Sequence, residues 1–243
     1  MKMRQSRGPS DPTSGNPEPR EVLLSSGLCK AASERTIRKL LEGCHVAQAQ
    51  RGETLWTAGT DARFFLIIAD GLVRLARRAP LAHEVVVELV GPCSCAGILA
   101  ALSPGPYPLT ATAVIRSSYI KIPTALWRSL MREEPQLQAN ALQELRSRLI
   151  QSYDLLGGMA SCSIERRLAA ALLAVRSVLT TPFCQTVDPL PISRQCLAEI
   201  AATTVESAIR TTTKWQNNGW IDSGYRSIKI LDVEAIQARM STS

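Results

Sequence analysis

The spacing of apolar residues changes once along this chain, and that change does most to limit the fold. From Arg51 to Pro123 they come in short runs: Thr54 to Trp56, Phe64 to Ile68, Leu72 to Leu75, Val85 to Val90, Thr110 to Ile115 and Tyr119 to Ile122. Gly52, Gly59, Gly71, Gly91 and Gly105 fall between them. Runs of this length bounded by turn residues read as strands, and no segment of crossover length separates them, so they predict an all-β sandwich or barrel. Asp70-Gly71, between two runs, signals a tight turn.

After Pro123 the apolar residues recur at steps of three and four. Leu142, Leu145, Leu149, Tyr153 and Leu156 form a narrow stripe on a helix expected to start near Pro135 and end at Gly157-Gly158. A stripe this narrow suits either an ordinary core-facing helix or, more sharply, the seam of a parallel dimer. Ser163 and Glu165 open a further helix with Leu168, Ala171, Leu172 and Val175 on one face, reaching about Leu179. Before the strands, Ala32 to Glu42 reads as a short amphipathic helix with Ser33 near its cap. The fold class is therefore α+β.

Composition narrows the function classes. At 243 residues, 45% hydrophobic and 20% charged, the chain can bury one large core or two small ones. Residues 1 to 20 mix Pro, Gly, Ser and charge without period and are expected to form a flexible tail. No run of about eighteen apolar residues and no apolar signal core occurs, so a soluble, cytoplasmic protein is expected. The seven scattered cysteines suit reduced thiols better than a disulfide framework, and the two histidines cannot complete a zinc pattern, so no metal site is expected. No nucleophile elbow, P-loop or paired-histidine zinc motif points to an enzyme. The formal net charge of +7 favours polyanionic partners without naming one.

Residues 192 to 231 are the most informative. Ser193 can cap a helix whose inner face is Leu197, Ile200 and Ala201, and Thr204 can cap a second that runs to Asn217 and stops at Gly219. Trp220-Ile221 and Ile228 to Leu231 alternate around Asp222-Ser223-Gly224, which reads as a hairpin. Two short helices followed by a hairpin make a winged helix-turn-helix. The N-terminal end of its second helix presents Val205, Glu206, Ser207 and Arg210, candidates for base contact in the major groove. Arg210 can pair with the O6 and N7 of guanine, and Glu206, one turn earlier, can accept from a cytosine amino group. Arg194, Thr203, Thr204, Lys214 and Arg226 suit phosphate contact, which positions without specifying.

With these residues in view, the chain resembles the Crp/Fnr family of bacterial transcription regulators over roughly residues 21 to 235. The resemblance implies a cyclic-nucleotide-binding-like β-barrel (a jelly roll) over 21 to 133, a dimerisation helix over 134 to 157 and a DNA-binding winged helix over 158 to 243. It also implies a homodimer, double-stranded DNA and RNA polymerase as partners. Val205-Glu206-Ser207 followed by Arg210 is similar to the Fnr-type recognition helix, which implies half-sites of the TTGA kind. Two positions depart from that pattern: Ile209, where the subgroup usually has serine, and Ala202, where the turn usually has glycine. A competing reading is a ligand-binding regulatory module whose winged helix contacts protein.

The family's cyclic AMP binders hold the phosphate with an Arg-Ser pair, and here Leu109-Thr110 stands in its place. A buried phosphodiester without a cation keeps its charge uncompensated, so cyclic AMP is not expected. Cys95, Ile98, Leu99, Leu102, Tyr107 and Leu109 would instead line an apolar pocket against the long helix, suited to an apolar or aromatic effector or to haem. Cys95 matches a thiolate haem-ligand position in a carbon-monoxide-sensing relative, but the second ligand position falls at Gly97, and His83 lies in a hairpin. An iron-sulfur cluster is not expected, because residues 1 to 50 hold only Cys29 and Cys44. Cys93 and Cys95 are candidates for a thiol switch, ranked below buried structural roles.

Overall fold

The computed structural model describes residues 17–78, 84–159, 163–180 and 187–241. The flexible tail expected over residues 1 to 20 therefore lies largely outside the described residues, as does His83. Its last residues are helical, however: Pro19 supplies the fixed φ suited to a first helical turn and opens α1, Pro19–Ser25. Helix α2, Glu34–Gly43, is capped by the Ser33 hydroxyl, which accepts from the Thr36 N–H, and it buries Thr36, Ile37 and Leu40.

Eight strands follow: β1 His45–Ala49, β2 Thr54–Trp56, β3 Phe64–Asp70, β4 Val73–Arg78, β5 Glu84–Val90, β6 Cys95–Ala96, β7 Thr110–Ala113 and β8 Ser117–Pro123. A short helix, α3 (Ile98–Leu102), separates β6 from β7. They divide into two antiparallel four-stranded sheets, ordered β1-β8-β3-β6 and β2-β7-β4-β5. Leu66 and Ile68 from the first sheet meet Val73, Leu75, Val90 and Ala111 from the second in one buried cluster, so the domain is a sandwich with its core between the sheets.

Strands β1 and β6 are additions to the runs expected from the sequence. The tight turn expected at Asp70-Gly71 is present, and because β3 and β4 belong to different sheets it carries the chain from one layer to the other. Gly71 is needed there for two reasons. Its φ is +101°, and a Cβ would collide with the main chain of Arg116 and Ser117.

Helix α4, Thr124–Glu133, leads into α5, Pro135–Met159. The expected stop at Gly157-Gly158 falls within one residue of the observed end, since α5 runs through both glycines to Met159. Leu137 and Ala141 of α5 are buried in the core beneath the first sheet, alongside Trp127, Phe65 and Ile120. Helix α6, Ile164–Leu179, is capped by Ser163, whose hydroxyl accepts from the Arg166 N–H, and it buries Leu168, Ala171, Leu172 and Val175 as its period predicts.

The C-terminal unit contains α7 Arg194–Ile200, α8 Val205–Asn217, β9 Ile221–Gly224, β10 Ser227–Ile230 and α9 Val233–Ser241. Strands β9 and β10 pair as a hairpin with Gly224 opposite Ser227. The turn is therefore Tyr225-Arg226, not Asp222-Ser223-Gly224, which lie within β9; Arg226 takes a left-handed φ of +57° there. Helix α9, absent from the sequence reading, packs on α6 and buries Ile236.

Ala202, in the turn between α7 and α8, has a φ of +49°. A left-handed alanine carries a steric penalty that glycine escapes. Ala202→Gly is expected to stabilise the protein by about 0.5–1 kcal/mol, measured as a higher urea midpoint at unchanged m.

Candidate nucleic-acid interface

Helix α8 is held from one side only. Ala208, Thr212 and Trp215 are buried, and the Trp215 indole N–H donates to Glu165 Oε1 of α6 at 2.9 Å. The Thr204 hydroxyl caps its first turn, accepting from the Ser207 N–H at 3.2 Å and donating to the Ser207 hydroxyl at 3.1 Å. Positions 206, 210, 213 and 217 fall on the opposite side by helical period. Glu206 and Arg210 are both exposed there, and no ion pair or side-chain hydrogen bond within the described residues engages either. An i,i+4 acid and base that only stabilised the helix would pair with each other; these two face solvent unpaired.

The other candidates are placed as follows. Val205 is exposed beside Glu206, and Thr203 is half-buried at the turn. Arg194, at the start of α7, donates from Nη2 to Gln216 Oε1 at 2.9 Å, which ties α7 to the end of α8. Arg226 sits at the tip of the wing with its guanidinium 5.1 Å from the Tyr225 ring centroid. Lys214 is drawn toward α6, its Nζ 3.3 Å from Glu165 Oε2. Burial alone would raise the Glu165 pKa, but the Trp215 and Lys214 donors outweigh it and hold the carboxyl below its usual range.

The winged helix rests against the sandwich. Arg74 of β4 donates to Glu84 Oε2 at 2.8 Å and, across the interface, to Glu199 Oε2 of α7 at 2.7 Å. Leu72 and Val114 join the core of the C-terminal unit, and a Cβ at Gly91 would strike the Val178 main chain of α6. A cleft of about 670 Å³ runs between the two units, with Arg51, Arg74 and Val114 on one wall and Arg194, Val205, Ile209 and Arg226 on the other. Arg51 and Arg74 had no signal in the sequence, because their partners lie 142 and 125 residues away.

Matches to known proteins cover the same units. Residues 46–134 match the cyclic nucleotide-binding domain family and residues 166–239 the Crp-like helix-turn-helix domain family, in that order. The chain belongs to the Crp/Fnr family of transcription regulators. Among its relatives, the CRP-like cAMP-activated global transcriptional regulator of Mycobacterium tuberculosis is 25% identical over 223 residues, which is 90% of this chain and 98% of the relative. The nitrogen fixation regulation protein FixK of Bradyrhizobium diazoefficiens is 25% identical over 219 residues, 89% of this chain and 91% of the relative. The solved structure of FixK2 from Bradyrhizobium japonicum shares the fold with a TM-score of 0.71 at 16% identity, covering 82% of this chain and 98% of that one. This Crp/Fnr regulator thus combines a DNA-binding helix-turn-helix with a domain of the cyclic-nucleotide-binding family. No described helix is long and apolar enough to cross a membrane.

The expected effector-pocket residues separate. Cys95, Ile98 and Leu102 pack in the core under the first sheet. Tyr107 and Leu109 pack between the sheets, with Tyr107 stacked on Trp56 at 4.4 Å. Leu99 is exposed. The Thr110 hydroxyl accepts from the Ala58 N–H at 3.1 Å. Although the loop itself carries no cation, the fold brings two arginines to it, both engaged. Arg148 of α5 donates to Glu88, to Glu144 and to the Cys95 carbonyl. Arg128 of α4 donates to the Ala100 carbonyl at 3.0 Å and to Thr124.

The residues do not fit a haem. Cys95 is fully buried, burial pushes its thiol strongly up, and Gly97 offers no second donor. Burial likewise pushes up the thiols of Cys29, to about 12, and of Cys196, to about 11, and raises those of Cys44 and Cys93. Thiolate, the reactive form, is therefore scarce at neutral pH at every described cysteine. Among the described residues, no group of three His, Cys, Asp or Glu side chains is placed to hold a metal.

On α5, Leu142, Leu149 and also Ile150 are exposed, while Leu145 packs partly against the sensor core. The side chains of Tyr153 and Leu156 lie outside the described residues.

Proposed function

We propose that this protein is a homodimeric, sequence-specific transcription regulator that reads a pseudo-palindrome of TTGA-type half-sites and responds to a signal other than a cyclic nucleotide. The observation that carries the reading is the unpaired Glu206 and Arg210, side by side on a helix whose opposite side is locked by Trp215. An acid turned toward a polyphosphate is costly unless it meets a base donor, so the pair suits base edges better than backbone. Arg194 and Arg226 flank it as phosphate contacts, with Thr203 and Thr204 beside them, and Lys214 contributes weakly because Glu165 competes for it.

Leu142 and Leu149, exposed one heptad apart on a 25-residue helix, supply the seam that sets two such helices at one-turn spacing. RNA polymerase is the further partner the family suggests. The mycobacterial relative is named as cAMP-activated. Here Leu109 stands where cyclic AMP binders place arginine, and Arg148 is already committed to Glu88 and Glu144. The signal proposed is therefore not a cyclic nucleotide; of the other classes, an apolar or aromatic ligand needs neither a cation nor a thiolate, and haem is set aside because Cys95 and Gly97 do not fit it.

Competition shift assays should show a clear preference for an inverted TTGA-type repeat over random duplex, with log affinity falling steeply against log salt. Sedimentation should show a dimer at the same concentrations. A monomer, or affinity indifferent to salt and sequence, would instead favour a winged helix that docks on protein.

A further inference from the structure

Beside the polar Glu206–Arg210 row, α8 presents a second row, Val205 and Ile209, 37% and 44% exposed and one helical turn apart. The buried side of α8 is filled by Ala208, Thr212 and Trp215, and Val205 and Ile209 border the cleft facing the sandwich without being buried in it. Both are β-branched, so in a helix each is held near a single χ1 rotamer and presents its methyl groups at a fixed place. Neither can donate or accept a hydrogen bond, which makes both blind to every major-groove feature except one. Of the four bases only thymine offers an apolar group there, its C5-methyl.

We infer that Ile209, supported by Val205, is a specificity-determining residue that reads the C5-methyl of a thymine next to the base pair taken by Arg210 and Glu206. The inference rests on the DNA-reading function proposed above and adds the chemistry by which the outer part of each half-site is selected. Serine, the usual residue at this position in the resembled subgroup, can exchange hydrogen bonds with any base edge. Isoleucine replaces that tolerance with a demand for a methyl group, because burying it against a bare edge would dehydrate polar base atoms without return.

The test is a comparison of thymine with uracil, which differ only in that methyl. Duplexes carrying two inverted TTGA-type half-sites are prepared with each thymine in turn replaced by deoxyuridine, and binding is followed by fluorescence anisotropy at fixed salt. For the wild type, removing the methyl at one thymine should weaken binding about fourfold per half-site, the value of one buried methylene, and about sixteenfold when both half-sites are changed. Ile209→Ser should still prefer the repeat to random duplex but bind thymine and uracil duplexes equally.

The thermal midpoint of Ile209→Ser is measured alongside, because Ile209 also lines the cleft against the sandwich. A lowered midpoint with the thymine preference intact assigns it to domain packing and overturns the inference. So does a wild type that treats all thymine and uracil duplexes alike while still preferring the repeat, and that result leaves the DNA-reading function standing. A wild type with no preference for the repeat removes that function and this inference together.

Discussion

Arg210→Ala is expected to lose about 1–3 kcal/mol of binding free energy at each half-site, or about 30-fold to more than 10,000-fold across a two-fold symmetric site. The loss should be specific. Wild type ranks duplexes by the base pair opposite Arg210, and the variant should become indifferent at that position while keeping its ranking elsewhere. Arg210→Lys should not restore the ranking, because an ammonium cannot reproduce the planar two-donor fork that spans O6 and N7 of guanine. The contrast is Lys214→Ala: with its ammonium shared with Glu165, removal should weaken all sequences slightly and alike, and lower the salt slope by about one or less. Competition assays with each half-site position permuted, at one salt concentration, separate the two patterns. An unchanged ranking in Arg210→Ala would reject the assignment of α8 as the reading element.

The legible parts of this structure are those whose cause is local. Ser33, Ser163, Ser193 and Thr204 were all readable as caps, and each accepts from the backbone N–H three residues on. The period of Leu168, Ala171, Leu172 and Val175 identified the buried side of α6 for the same reason, since one helix carries its own pattern. Strand β1 carries no clear signal in the sequence because it is a sheet edge with four of its five residues not fully buried, so its residues need not alternate. The wing turn is hidden for a different reason: Asp222-Ser223-Gly224 has ordinary turn chemistry, whereas the real turn uses an arginine at positive φ.

Long-range partnerships left no trace of this kind. Which sheet a strand joins, or that Arg74 meets Glu199, depends on where separate elements come to rest. The candidate interface was legible for a related reason. Glu206 and Arg210 lie on one helix, and the spacing that places them together is written in four residues. The effector pocket depended on packing between α5 and the sandwich, and there the expected lining divides between two cores.

That packing turns on Arg148, and its removal should have the largest effect on stability. Its side chain is 13% exposed and binds Glu88, 21% exposed, on β5, together with Glu144 one turn back on α5. Arg148→Met keeps the length of the side chain and deletes the charge, leaving two acids facing each other in a mostly dry site. Breaking a buried pair in this way costs about 3–5 kcal/mol.

The pH dependence gives the signature. Burial, chiefly, and then the neighbouring Glu144 raise the Glu88 pKa, and Arg148 opposes them without cancelling the rise. A carboxyl whose pKa is raised on folding is protonated more readily in the folded chain than in the unfolded one. Between the ordinary value of 4.5 and the raised one, stability therefore falls as pH rises, and above the raised value the penalty is complete. Without Arg148 the opposing attraction is gone, so the raised value climbs further and the window widens upward. The destabilisation of Arg148→Met should accordingly be smaller at pH 5 than at pH 7.5, as read from urea midpoints. Adding Glu88→Gln should recover part of the loss at pH 7.5 and flatten the dependence, because the amide has no charge to leave unpaired. Equal losses at both pH values would mean that Arg148 acts through packing alone, and the ionic link between the long helix and the sensor sheet would have to be abandoned.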